Sequence, residues 1–304
     1  MPQGWSALTG RLSLRRLVRE RSACMNRYSL ILLEIDGTLL DSRNEISANS
    51  KRLLNRLQKK GIPIALVSSD APCEAEFVAQ RANLRAPIIC YGGSLVLDEN
   101  RSILEDIGIP RSVALSFKAF AERQFPDVSV NTYIYDIWIA DESEQERAPW
   151  LAGIAQKEPL TGDLASAMRM TNHAHKFLCV GSPQRIQTLK RRVDREFPTL
   201  SCSLSSSVSL EIIAKRASKG AAMEVIRRYY GVDAAQIVAI GNHFADVELL
   251  RGAGLGIAMG DAPEAVRSAA DRVTASRDDE GVYIALKGLR FQPPVRPDKA
   301  SEQD

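Results

Sequence analysis

Glu34 and Asp36 close the apolar run Leu30–Leu33. Ser68 closes Ile62–Val67, Asn242 and Asp246 follow Gln236–Ile240, and Lys219 stands at the head of a helical stretch. Brought to one place, these residue types could carry out phosphoryl transfer. A carboxylate can attack phosphorus and form an acyl phosphate. A second carboxylate can protonate the leaving oxygen and later activate water. A hydroxyl and an ammonium can hold the phosphoryl oxygens and offset their charge. Carboxylate oxygens, with the substrate's own, can hold magnesium, which neutralises more of it. Taken alone, Glu34 and Asp36 also read as a merely solvated acidic strand end.

The elements that must position these residues are legible as alternating short apolar runs and amphipathic stretches. Leu30–Leu33, Ile62–Val67, Ile88–Tyr91, Gln236–Ile240 and Leu255–Met259 are too short for helices and read as buried, parallel strands. Ser47 or Asn49 can cap a helix that carries Leu53, Leu54 and Leu57 on one stripe, runs to Lys60 and stops at Gly61. Glu74–Ala82 and Ala245–Leu250 are further helices, and Ser218 caps one that runs from Lys219 to Tyr230. Asp261 and Glu264 resemble a capping box, and a strand and a terminal helix follow. Strand–helix–strand at this spacing requires a parallel sheet. Ligands bind at the carboxyl edge of such a sheet, where these polar residues fall.

From Ser94 to about Ile213 the texture changes. SLVLDE, RSILED, VSVNTYIYDIWIA and KFLCVG read as hairpin strands, with helices over Ser112–Gln124 and Pro183–Glu196. Asp141–Arg147 is a solvated loop or helix start. The fold class is therefore α/β: a Rossmann-like parallel-sheet core built from residues 25–93 and 213–290, with an inserted α+β domain over 94–212. The proline- and charge-rich tail 291–304 reads as disordered.

A net charge of +3 on 304 residues argues against nucleic-acid or membrane-surface partners, and no apolar run approaches a membrane span. Five widely spaced cysteines without a CxxC pair fit reduced thiols in a cytoplasmic protein. Residues 1–24 hold five arginines against one acid and read as a disordered or non-native leader, with Met25 as the start. An organelle transit peptide is the alternative.

The stretch LLEIDGTLLD resembles the first motif of the haloacid dehalogenase (HAD) superfamily of phosphohydrolases. Ser68 in ALVSSD is similar to the second motif, Lys219 in KRASKGAAMEVI to the third and VAIGNHFADVELL to the fourth. LGIAMGDAPEAVRSAADRVTASRDDEGV resembles the C-terminal stretch of the Cof-type members, which carry a type IIB cap. The resemblance implies magnesium-dependent hydrolysis of a small phosphorylated metabolite. Glu34 would attack, Asp36 would act as acid and base, Ser68 and Lys219 would bind phosphate, and Glu34, Asp36, Asn242 and Asp246 would hold Mg2+. The departures fall on the chemistry: Glu34 replaces the nucleophilic Asp, Asn242 a magnesium-binding Asp, Ala245 an Asn, and Asp70 an Arg. A carboxylate one methylene longer cannot occupy the same attack position, and a misplacement of ~1 Å can cost ~10²-fold in rate. Phosphatase activity is thus expected to be lost or impaired. The alternative is a pseudophosphatase that binds a phosphorylated ligand or a protein partner without turnover.

Other chemistry-bearing residues read as structural. His173 and His175 suit hydrogen bonding better than a metal site. Tyr133, Tyr135 and Trp138 suit packing within the inserted domain, and Gly92 and Gly93 suit a turn. Asp98, Glu99, Asp278, Asp279 and Glu280 read as solvated loop acids, and His243 either faces the site or does not.

Overall fold

The computed structural model describes residues 27–140, 160–161, 164–169 and 171–295. The leader 1–24, the acidic stretch Asp141–Arg147 and residues 296–304 of the tail lie outside them, whereas the start of the tail, read as disordered, is ordered by pairing with Tyr28, whose carbonyl accepts the Gln292 N–H. In chain order the first elements are β1 (Leu30–Glu34), α1 (Ala48–Lys59), β2 (Ile64–Val67), α2 (Pro72–Ala82), β3 (Ile88–Cys90), β4 (Leu95–Leu97) and β5 (Ile103–Asp106). Then come β6 (Ile109–Pro110), α3 (Arg111–Gln124), β7 (Ser129–Ile134), β8 (Ile137–Ala140), β9 (Leu160–Thr161), α4 (Leu164–Ala167), β10 (His173–Ala174), β11 (Lys176–Val180), α5 (Pro183–Glu196), β12 (Leu200–Ser206) and β13 (Ser209–Ala214). The chain continues with α6 (Lys219–Tyr230), β14 (Ile237–Gly241), α7 (Val247–Gly252), β15 (Leu255–Ala258), α8 (Glu264–Ala269), β16 (Arg272–Val273) and α9 (Gly281–Leu286).

One sheet has the strand order β16-β15-β14-β1-β2-β3-β4-β5. The pairs β15–β16, β14–β15, β1–β14 and β2–β3 are parallel, and β3, β4 and β5 pair antiparallel. Every residue of β1, β2, β14 and β15 is buried, as the unbroken apolar runs require of strands covered on both faces. A second sheet, β12-β13-β11-β7-β8-β9, is antiparallel apart from the β8–β9 pair, and β6 and β10 form a two-stranded ladder. The α/β class with a parallel core sheet and a mixed α+β region is as read from the sequence, but β4 and β5, read as hairpin strands of the inserted domain, instead extend the core sheet, because β4 folds back antiparallel onto β3 directly after the Tyr91–Gly93 turn.

The chain forms two compact units. One holds the described residues up to 65, 81–85 and those from 226, and the other holds 66–80 and 86–225. In the second, α3 and α5 supply a core with the antiparallel sheet. Phe117 lies 4.8 Å from Phe177 between ring centres, and Ile186, Leu189 and Val193 are buried in the same cluster. Their spacing puts them on one face of α5, while Pro183 fits its first turn, where no N–H is needed. Each such aliphatic side chain contributes roughly 1.5–3 kcal/mol by burial. In the first unit, the Ser47 hydroxyl caps α1 by accepting the Ser50 N–H. No helix among the described residues is long and apolar enough to cross a membrane.

Local expectations fail where a loop acid has work to do. Asp98 is buried rather than solvated, because its carboxylate accepts the N–H groups of Asn100 and Ser102 in the β4–β5 turn. Glu280 is half-buried and accepts hydrogen bonds from Ser47 and Asn49, whereas Asp278 is exposed as read and accepts the Ser42 N–H. No capping box forms between Asp261 and Glu264. Pro263 is the residue before α8, and the Glu264 carboxylate instead takes Arg267 and Ser268 one turn on. The predicted helix from Ala245 begins later, at Val247, after a tight turn over Phe244–Asp246.

Candidate functional site

In the first unit, β1 and β14 run side by side with Leu33 opposite Ile240, so both polar ends, Glu34 and Asn242, emerge at the same edge. Glu34 is buried at the last position of β1. Beyond it Asp36 keeps an extended backbone and is exposed, and Gly37 turns the chain at φ 68°. The glycine is required twice over, by that positive φ and by a neighbour: a Cβ there would meet Asn242 Nδ2 at 2.2 Å. The Thr38 hydroxyl donates to Asn242 Oδ1 at 3.3 Å. The amide of Asn242 is thus held between Thr38 and the Gly37 backbone.

Asp246 is fully buried, and its Oδ2 accepts the N–H groups of Asn242 at 2.9 Å and His243 at 2.8 Å. It closes the turn that carries Asn242 and satisfies two donors that would otherwise be orphaned. His243 accepts the Ala245 N–H on Nδ1 at 3.4 Å, which ties its ring to the same turn.

The second unit contains Ser68 and Lys219. Ser68 is buried just after β2, and its Oγ accepts the Asp70 N–H at 2.9 Å. A hydroxyl that accepts through one lone pair still has its proton to donate. The Ser68 carbonyl accepts Gly92 N–H, and the Asp70 carbonyl accepts Tyr91 N–H. Tyr91, Gly92 and Gly93 all have positive φ, at 52°, 62° and 108°. That run brings the Gly93 Cα against the head of α6, where a Cβ would lie 2.2 Å from the Ser218 carbonyl oxygen. Lys219, the first residue of α6, is buried, and Ser218 caps the helix by accepting the Ala221 N–H. The two glycines read as a turn therefore connect the Ser68 loop with the start of the Lys219 helix.

Of the four expected magnesium ligands, Glu34, Asp36 and Asp246 are carboxylates and Asn242 is a neutral amide. Asn242 brings no charge, and its oxygen already takes the Thr38 hydroxyl. One oxygen of Asp246 is committed to two backbone donors. Among the described residues, the only trio of His, Cys, Asp or Glu ligand atoms within 4.8 Å of one another is Asp106, His173 and His175. A hard dication relies on carboxylate oxygens to offset its dehydration, and Asn242 supplies an oxygen to this set without a charge.

The Asp106 trio is closed by hydrogen bonds. Tyr135 N–H donates to His175 Nδ1 at 3.0 Å, which leaves the ring proton on Nε2, 3.2 Å from Asp106 Oδ1. A metal would need that Nε2 lone pair, and a ligating ring ordinarily donates from its other nitrogen rather than accepting there. The Tyr135 hydroxyl donates to Asp106 Oδ2 at 2.6 Å, and His173 Nε2 lies 2.9 Å from Oδ1. Burial raises the Asp106 carboxyl, but bonds from His175 and Tyr135 outweigh it and bring the pKa down to about 2. Burial pushes the His175 pKa below its usual value, against the pull of Asp106. Tyr133 and Trp138 stack and are buried, and the Trp138 indole N–H donates to Asn131.

Two residues escaped the sequence reading. Thr38 adjoins the first motif, and a hydroxyl directly after the Gly37 turn was the available signal. Lys176 is buried in a strand whose other residues are apolar, and its place at the head of KFLCV was the only signal.

The sequence profile of the haloacid dehalogenase-like hydrolases matches residues 31–286. The chain is 26% identical to a phosphoglycolate phosphatase of Methanopyrus kandleri over 86% of this chain and 97% of that protein. It is likewise 26% identical to the 5-amino-6-(5-phospho-D-ribitylamino)uracil phosphatase YitU of Bacillus subtilis, over 85% of this chain and 96% of that protein. Among solved structures, TM0651 of Thermotoga maritima matches with a TM-score of 0.78 at 25% identity, covering 88% of this chain and 99% of that one. The HAD subclass IIB sugar phosphatase BT4131 shares the fold, with a TM-score of 0.73 at 19% identity, covering 85% of this chain and 98% of that one.

Proposed function

Because the chain belongs to the haloacid dehalogenase-like hydrolase family, we propose that it binds a small phosphorylated metabolite at a phosphatase-type site whose turnover is lost or strongly impaired. In this reading the Ser68 hydroxyl and the Lys219 ammonium bind the phosphoryl group. Asp36 is the acid–base residue, suited to exchanging a proton because it is exposed. Glu34 stands at the position of attack with a side chain one methylene too long. The observation that carries the reading is the state of Asn242, whose amide oxygen takes Thr38 while its amide nitrogen lies against Gly37. The relatives with unlike named substrates are equally similar, so the substrate is proposed only as a class. A non-catalytic binding protein is the limiting case of the same reading.

Phosphate release from sugar phosphates and nucleotides, with and without magnesium, tests it. The natural protein is expected near background, and Glu34→Asp combined with Asn242→Asp is expected to raise magnesium-dependent release by about 10²-fold, the scale of a ~1 Å correction in attack geometry. Magnesium-dependent turnover by the natural protein that disappears in Asp36→Ala would overturn impairment. It would make Glu34 a working nucleophile, which Glu34→Ala should then silence.

A further inference from the structure

Lys176 heads β11 and is buried. Its Nζ donates to the Ser69 carbonyl oxygen at 2.6 Å and to Glu211 Oε1 at 3.4 Å, and Asp70 Oδ1 lies 3.6 Å away. The rings of Tyr133 and Tyr91 stand 5.0 and 5.5 Å from it. Burial lowers the pKa of the amine, but Glu211 and Asp70 outweigh it and hold the pKa above the usual lysine value. A buried ammonium is thus fixed within one carbonyl, two carboxylates and two aromatic rings, and nothing in the proposed chemistry uses it.

What it grips is informative. The Ser69 carbonyl and the Asp70 N–H belong to one peptide group. The carbonyl end accepts Lys176, and the N–H end donates to Ser68 Oγ at 2.9 Å. A peptide plane held at both ends cannot turn over. Turned over, it would present its carbonyl to Ser68, and the hydroxyl would spend its proton there instead of on a ligand. The charge on the carbonyl also polarises the N–H, as in a hydrogen-bonded chain. The next peptide is held as well, because the Asp70 carbonyl accepts Tyr91 N–H.

We propose that Lys176 is a positioning residue for phosphate binding: it sets the Ser69–Asp70 peptide so that the Ser68 hydroxyl faces its ligand as a donor. This rests on the reading of Ser68 as a phosphate-binding residue. It makes the affinity of the site depend on a lysine 108 positions away in sequence that touches no ligand.

The test is a double-mutant cycle on the full chain, with inorganic phosphate as the probe and titration calorimetry as the readout. Lys176→Met keeps length and removes charge and donors. It is expected to weaken phosphate binding about tenfold, with Ser68→Ala weakening it at least as much. The double variant is expected to bind no worse than Ser68→Ala alone, since Lys176 acts through that hydroxyl; a general loosening of the fold would add its own loss. Affinity unchanged in Lys176→Met, or losses that simply add, overturns the proposal while leaving the phosphate site standing. Absence of phosphate binding by the natural protein, or binding untouched by Ser68→Ala, overturns the phosphate site and the proposal with it. If Lys176→Met does not fold, the same cycle is run with Glu211→Gln, which keeps the ammonium but takes away one carboxylate. A partial loss confined to the Ser68 background supports the proposal, and natural affinity overturns it.

Discussion

Asp246 shows how much of a turn one side chain can hold. Its Oδ2 carries two backbone donors, so Asp246→Ala leaves two N–H groups in a part-buried turn without that acceptor. Each costs about 1–3 kcal/mol, and urea unfolding of the variant should show the sum. Unchanged stability would mean that water or a neighbour replaces the carboxylate. Asn242 is a different case, a neutral residue whose amide oxygen takes the Thr38 hydroxyl and can offer a cation no charge. Asn242→Asp restores one negative charge beside Thr38. Magnesium is therefore expected to raise the melting temperature of that variant more than that of the natural protein, because a ligand that binds only the folded state stabilises it by mass action. Equal magnesium response in both would show that Asn242 does not limit the site.

At the scale of elements, the polar residues sit where strands and helices end, and short turns set their distances. The left-handed run Tyr91–Gly93 is the tightest of these. Gly93→Ala would force a side chain into φ 108° and drive its Cβ onto the Ser218 carbonyl. The expected result is a loss of about 1–3 kcal/mol in stability together with weaker phosphate binding, because the head of α6 must move and Lys219 with it. Gly92→Ala is the control. Its φ is 62°, but the nearest atom to a Cβ there is an Ile213 methyl carbon at 3.6 Å, so it should lose stability and retain affinity. Equal affinities in the two variants would break the link between the turn and Lys219.

At the scale of the whole molecule, acid should destabilise this protein in two windows. His175 has a lowered pKa in the folded chain, so below about pH 6.5 the unfolded chain takes up a proton that the folded one refuses, and stability falls. Asp106 titrates at about 2 when folded and 3.8 when free, so its contribution is present above pH 3.8 and is lost as the pH falls toward 2. Because the Asp106 side chain is partly accessible, that contribution is on the order of 1 kcal/mol. Melting temperatures across pH 3–8 should fall on acidification, and Asp106→Asn should flatten the part below about pH 4. A profile level from neutrality to pH 4 would contradict the His175 assignment.

The sequence by itself determined the parallel-sheet core, the separate mixed region and most element ends, because these follow from local signals: unbroken apolar runs, the stripe of α5, the Ser47 cap and glycine stops. It also determined which residue types stand at each motif, Glu34 and Asn242 among them, and so where the chemistry departs from the family. Only the tertiary structure decided what those side chains touch. That Asn242 holds Thr38, that Asp106 joins two histidines and a tyrosine, and that Lys176 and Ser68 grip one peptide plane are outcomes of packing between distant segments. A lone lysine before an apolar run looks like any strand end. Its meaning depends on a carbonyl 107 residues away, which chain folding, and no local pattern, brings within 2.6 Å.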